Sequence, residues 1–339
     1  MTETSQVPAT PSALQAGQDP SAAGRLPKIQ LAGAVVAIVV VALIGARLSV
    51  TTIMLVENIL VLGLFGVATN LLLGYGGLVS FGQAAFFGIG SYVIALNFVH
   101  LDLPFWVAFV AAPVIGALVA VPVGALALRT RQLYFALITL AFSQLFTTIA
   151  HKWYSVTKGD NGIFGAMLPP SLAEPRAGFM FVLAVVVVAL ALLWKVTVSP
   201  FGMALRATRE NRERAAALGI NVYRHQLVAF VISGFFCSLA GALLAVHDEA
   251  AYPQLLDWTM SGIPIFAAVI GGMYAFLGPV VGAAIYQLGH DLTVRYTDAW
   301  QFVLGIVLLA VVLFAPDGVA TLFRPRRWWA WLRTRRTRP

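Results

Sequence analysis

Long apolar runs recur along this chain, separated by short polar or charged breaks. They lie near 31–47, 53–73, 76–99, 104–128, 133–150, 178–194, 226–246, 260–276, 278–290 and 300–315. A helix crossing a bilayer needs about 20 mostly apolar residues, and most of these runs come close to that length. The pattern predicts an all-α fold, a polytopic transmembrane helical bundle of about ten spans. The run 278–290 is too short to cross comfortably and reads as tilted, broken or re-entrant.

Residues 199–224, SPFGMALRATRENRERAAALGINVYR, break the pattern. Strong helix formers dominate here. Leu205 and Ala216 are placed to rest on the bundle, while Arg206, Arg209, Arg212 and Arg214 are expected to reach outward. Glu210 and Arg214 stand four apart, a spacing that permits pairing, and Gly219 is placed to stop the helix. A charged helix of this kind between spans is either a passive membrane-surface loop or a grip for a partner.

Composition agrees with a membrane protein. Of the 339 residues 60% are hydrophobic and 11% charged, against roughly a quarter charged in soluble domains. The net charge of +8 collects in a few loops and the tail, so it speaks of topology before nucleic acid. The most basic segments, 195–224 and the tail, belong on the cytoplasmic side. Arg129 and Arg131 join them, as do Arg25 and Lys28, which puts both termini inside. The connections 248–258 and 291–298 then fall outside. Arg47, Lys152, Lys158 and Arg176 are exceptions to this arrangement. Residues 1–30 are expected to be a disordered cytoplasmic tail. Residues 31–323 form the transmembrane domain with its cytoplasmic loop 195–225, and 324–339 a basic tail whose Trp328, Trp329 and Trp331 suit the headgroup region. The run after Lys28 reads as a retained first helix rather than a cleaved signal.

Two segments carry candidate chemistry. Residues 74–92, GYGGLVSFGQAAFFGIGSY, interrupt an apolar stretch with glycines, Ser80, Gln83 and Ser91. Irregular or polar backbone at membrane depth must be covered by protein or line a watery cavity. Close helix packing through small residues is the alternative for the glycines. In 129–165, Thr139, Ser143 and Gln144 fall on neighbouring turns of one span, either bonded to another helix or facing a translocation path. No phosphate loop, serine-hydrolase elbow or HExxH zinc motif occurs. Cys237, the one cysteine, reads as a small buried hydrophobe. Glu57, Asn58, His247, Asp248, Glu249, His290 and Asp291 read as solvated helix ends rather than a metal site.

At these same residues the chain resembles the permease subunits of ABC importers for branched-chain amino acids, specifically the M-type partner of an M/H pair. The blocks GYGGLVSFGQAAFFGIGSYVIAL, RQLYFALITLAF, TKGDNG, 199–244, IGGMYAFLGPVVGAA and LFAPDGV carry the likeness in order from about 53 to 323. The resemblance implies a non-enzymatic transport subunit in a bacterial inner membrane. Its implied partners are an H-type sister permease, two cytoplasmic ATPase subunits holding ATP and Mg, and an extracytoplasmic substrate-binding protein. No cofactor on this chain and no nucleic-acid partner is implied. Arg209, Glu210, Glu213, Ala215, Ala216 and Gly219 correspond to the segment that couples to the ATPase. Ser80, Gln83, Thr139, Ser143 and Gln144 are the candidates for the path. Relatives of this kind also carry urea, amides or aromatic acids. The family commonly reads Thr-Gly-Gly in the outer loop, where Lys158 here follows Thr157. An ion-coupled transporter would be expected to carry acids mid-span, and a membrane-embedded enzyme a nucleophile–base pair. Neither is evident.

Overall fold

The computed structural model describes residues 49–314, apart from 131–132, 166–167, 171 and 297–299, together with 318–319. The expected tail 1–30, the first span 31–47 and the basic segment 324–339 lie outside the described residues. Among the described residues, six helices are long and apolar enough to cross a membrane. The first, α1 (Val50–Asn70), starts at Ser49, whose Oγ accepts from the Thr52 amide, and runs on into a π-helical turn, Leu71–Tyr75. Next come α2 (Gln83–Leu96), extended by a π-helical turn to Leu101, then α3 (Phe105–Ala127) and α4 (Leu133–Lys152). A short helix, α5 (Tyr154–Thr157), leads to strand β1 (Ile163–Phe164), and α6 (Pro175–Val198) follows. Two helices, α7 (Pro200–Glu210) and α8 (Arg212–Ala217), precede the long α9 (Val222–Asp248). Strand β2 (Ala250–Ala251), α10 (Gly262–Gly271), α11 (Gly278–Val294) and α12 (Trp300–Phe314) complete the described chain.

The central helix is α9, packed against α1, α2 and α3. Small residues let these backbones meet, as lipid-embedded packing requires. A Cβ on Gly241 would occupy the place of the Phe87 carbonyl, and one on Gly90 would overlap the Ser238 carbonyl. The stacked rings of Phe65 and Phe87, with centroids 4.4 Å apart, fill the space between α1 and α2.

Three expectations change. Span 76–99 begins as helix only at Gln83; residues 76–82 are non-helical, with Gly77 at φ 66°. The single surface helix expected over 201–224 is two helices and the start of α9. The span expected over 260–276 is a helix of 10 residues, about 15 Å long, half the roughly 30 Å hydrocarbon thickness. Of the ten expected spans, 31–47 lies outside the described residues, and the other nine correspond among the described residues to six long helices and three shorter ones.

The residues before α10 supply the missing half of its path. The connection 248–258, expected outside, returns to the interior after β2 pairs antiparallel with β1. The tight turn Pro253–Leu256 packs between α2 and α4. The Leu256 side chain sits against Gly88, and its carbonyl accepts from Ser143 Oγ at 2.6 Å. Ser261 then bonds the start of α2: its Oγ accepts from the Ala84 amide at 2.9 Å and donates to the Phe81 carbonyl at 2.8 Å. Residues 250–271 thus run antiparallel to α2 in pieces. Pro253 and the polar stretch 257–261 prevent one continuous helix. The hairpin of α10 and α11 closes through Gly271, Gly278 and Gly282, each lacking room for a Cβ. Helix α11 lies along α1, with Pro279 against Gly66 and Val280 against Gly63.

Candidate functional site

One end of the bundle carries α7 and α8. Ser199 caps α7 and Pro200 opens it, a pairing of N-cap and N1 residues that suits a helix start. Asn211 breaks the segment with extended backbone (φ −157°, ψ 109°), and its Oδ1 accepts from the Arg214 amide at 2.8 Å to start α8. This break separates Glu210 from Arg214, and the expected pair does not form. Gly219 ends α8 at φ 84°, a left-handed conformation glycine adopts at no steric cost, as expected. Leu205, Thr208 and Ala215 are buried and fasten the two helices down.

The arginines expected to reach outward mostly turn inward. The Arg206 guanidinium lies 4.7 Å from the Tyr75 ring centroid and donates to the Thr197 carbonyl. Arg209 donates to the Gly74 carbonyl and lies 4.6 Å from the Tyr274 ring centroid. Arg212 donates to Gln226 Oε1 at the start of α9. The cause is local. The π-helical end of α1 shifts its carbonyls out of α-helical register, and Arg209 satisfies one of them. Asn70 in turn donates to the Met273 carbonyl at 3.0 Å. A single side chain, Arg209, therefore joins α7 to the end of α1 and to the α10–α11 connection. The outward surface is left to Glu210, Glu213, Arg214, Ala216, Gly219 and Leu218, which is 76% exposed. Nothing in the charge pattern singled out Leu218. A cleft of about 1410 Å³ opens beside this surface, walled by residues 76–81, the α3–α4 turn, α7, α8 and the start of α9.

Of the path candidates, four are buried and bonded between elements. Gln83 Oε1 accepts from Ser233 Oγ at 3.1 Å and Cys237 Sγ at 3.3 Å, while its Nε2 donates to Ser80 Oγ at 3.3 Å. Thr139 Oγ1 accepts from the Phe81 amide at 3.2 Å, and Ser143 holds Leu256. Gln144 stands on the exposed face of α4 with Leu137, Ala141 and Leu145. These buried groups fix the non-helical stretch 76–82 and the 3-10 turn and loop of 253–261, whose own surfaces, at Gly77, Val79, Trp258 and Thr259, are open.

At the far end, His247 Nδ1 lies 2.8 Å from Glu57 Oε2 and its Nε2 3.7 Å from Asp248 Oδ1. Glu57 is buried and the His247 side chain is only 9% exposed, so these two form a largely enclosed pair, while Asp248 and Glu249 lie exposed at the helix end as expected. Lys158 adopts left-handed backbone (φ 62°), a conformation that glycine takes without strain.

The model of the family described as the branched-chain amino acid transport system permease component matches residues 51–312. The chain belongs to that family. The LivM permease proteins of the high-affinity branched-chain amino acid transport systems of Salmonella typhimurium and Escherichia coli K12 are each 25% identical to this permease over 293 residues. That alignment covers 78% of this chain and 68% of each relative. A probable LivH permease protein of Methanocaldococcus jannaschii is 29% identical over 71% of this chain and 82% of its own length. The permease is thus of the LivM type, a membrane subunit of an ABC importer rather than an enzyme.

Proposed function

We propose that this permease is the M-type half of an importer heterodimer that moves branched-chain amino acids, or a related small polar solute, by alternating access. The ATPase subunits, carrying ATP and Mg, dock on the outward surface of α7 and α8, which is the cytoplasmic face by its arginines. Glu210, Glu213, Ala216 and Gly219 face them, with Leu218 as an added apolar knob. Ala215 and Arg209 anchor the same segment from beneath. An H-type permease packs alongside, and a binding protein delivers solute at the Glu57–His247 end. Both termini lie in the cytoplasm of a bacterial cell. Ser80, Gln83, Thr139 and Ser143 hold the walls of the path in shape, and Gln144 faces it.

The observation that carries this reading is the seat of α7. A partner that moves α7 pulls on α1 and on the α10–α11 connection together, through Arg209. The test is to purify the assembly captured through this chain and reconstitute it in liposomes. ATP-dependent uptake of labelled leucine is expected. Leucine uptake by the lone chain, driven by an ion gradient, would refute the proposal.

A further inference from the structure

Asp257 was expected in an outer loop, yet the return of 250–271 brings it into the bundle. Its neighbours in sequence fix its depth. Leu256 sits beside Gly88 and Ser143, and Ser261 beside Phe81 and Ala84. Gln83, next to Ala84, bonds Ser233. Ser233 lies about 16 Å along α9 from Val222 and about 22 Å from Asp248. Asp257 and Trp258 therefore lie close to mid-depth, where an ionisable side chain is costly and marks a functional position.

The surroundings specify a chemistry. Asp257 Oδ1 accepts from the Thr259 amide at 2.9 Å and from Thr259 Oγ1 at 2.6 Å, while no cationic side chain among the described residues pairs with the carboxylate. Trp258, 40% exposed, meets the edge of Phe81 with ring centroids 6.5 Å apart. Phe81 and Val79 also wall the cleft that opens at the α7–α8 end. The Trp258 ring, next in sequence to Asp257, thus joins the Phe81 ring, next but one to the open Val79, where the non-helical residues 76–82 and 257–261 touch. Backbone of that kind at membrane depth belongs where it is buried or lines a watery cavity.

Resting on the importer reading, we infer that Asp257, Trp258, Phe81 and Val79 form a solute-contact site inside the permease. It takes a small molecule whose ammonium group stands next to an apolar side chain. The carboxylate pairs with the ammonium, the rings add cation–π attraction, and Val79 with Trp258 covers the apolar part. Solutes without a cation, such as urea or an α-keto acid, gain only the last of these.

The variant D257N separates charge from architecture, because an asparagine Oδ1 can accept the same two bonds from Thr259. Uptake of leucine and of its α-keto analogue is measured with the whole reconstituted complex. A hydrogen bond to a charged group contributes about 1.5 to 3 kcal/mol. D257N should accordingly raise the leucine KM by about tenfold or more and abolish discrimination against the keto acid. D257E retains the charge and should keep the discrimination; if it treats both solutes alike, the site is wrong. Wild-type uptake with an unaltered D257N profile overturns the site alone. A wild-type complex with no ATP-driven uptake defeats the importer reading itself.

Discussion

Replacing Arg209 by alanine removes two contacts at once without touching the core. One is a charged donor on the Gly74 carbonyl; the other is the cation–π contact over Tyr274. The first is worth about 1.5 to 3 kcal/mol and the second about 0.5 to 2 kcal/mol. Together they hold α7 on the end of α1 by about 2 to 5 kcal/mol, or roughly 30- to 3,000-fold in the ratio of seated to released helix. Arg209 is half-buried, so the lower part of that range is expected. Amide hydrogen exchange reads the opening directly, since protection follows the free energy of local release. In R209A, protection should fall by about 30-fold at 72–79 and 272–278 and stay unchanged along α2 and α9. Solute-stimulated ATPase activity of the assembled transporter should fall toward its basal level. R209K keeps the charge but loses the planar fork, and should lie between the two. Unchanged exchange at 72–79 in R209A would show that Leu205, Thr208 and Arg206 over Tyr75 suffice to hold α7, and the transmission argument would fail.

Three further substitutions test the packing. Gly241→Ala drives a methyl into the Phe87 carbonyl and forces α2 from α9. Its cost should reach the upper part of the usual overpacking range, about 1 to 3 kcal/mol, seen as a lower Tm in detergent. Gly289→Ala, with nothing within 4 Å, is the control and should leave Tm equal or higher. Gln83→Leu strips the Ser80 hydroxyl and the Cys237 thiol of their shared partner. A loss of about 1 to 3 kcal/mol is expected in a chemical-unfolding or thermal assay, and an unchanged midpoint would show that the network does not stabilise the bundle.

The long helices were legible because their apolar runs reach membrane length, and helix ends such as Ser199 and Gly219 carry recognisable chemistry. Hydropathy could not reveal how 250–271 is folded. Residues 260–276 are as apolar as a span, and only contacts with α2 and α4, distant in sequence, show that half the passage is made without a helix. The arginine directions were misread for a similar reason. A basic face on a helix looks like a solvent face, unless the π-helical end of α1 and Tyr274 are known to lie under it. Asp257 was hidden by its neighbours Gln254 and Thr259, which made a loop of that stretch. The pairing of Asp with Trp just after an apolar turn that opens on Pro253 was the available signal. The segment 199–224 stood out by its charge; its division at Asn211 could have been read from the asparagine, a preferred N-cap.

The piecewise passage of 250–271 bears on how the protein is made. A stretch whose helix has 10 residues is too short to partition into lipid by its own apolarity as it leaves the ribosome. Its Leu256 carbonyl and Ser261 hydroxyl find partners on Ser143, Ala84 and Phe81, all on segments synthesised earlier. The segments carrying Phe81, Ala84 and Ser143 are therefore expected to be in place before 250–271 takes its seat among them.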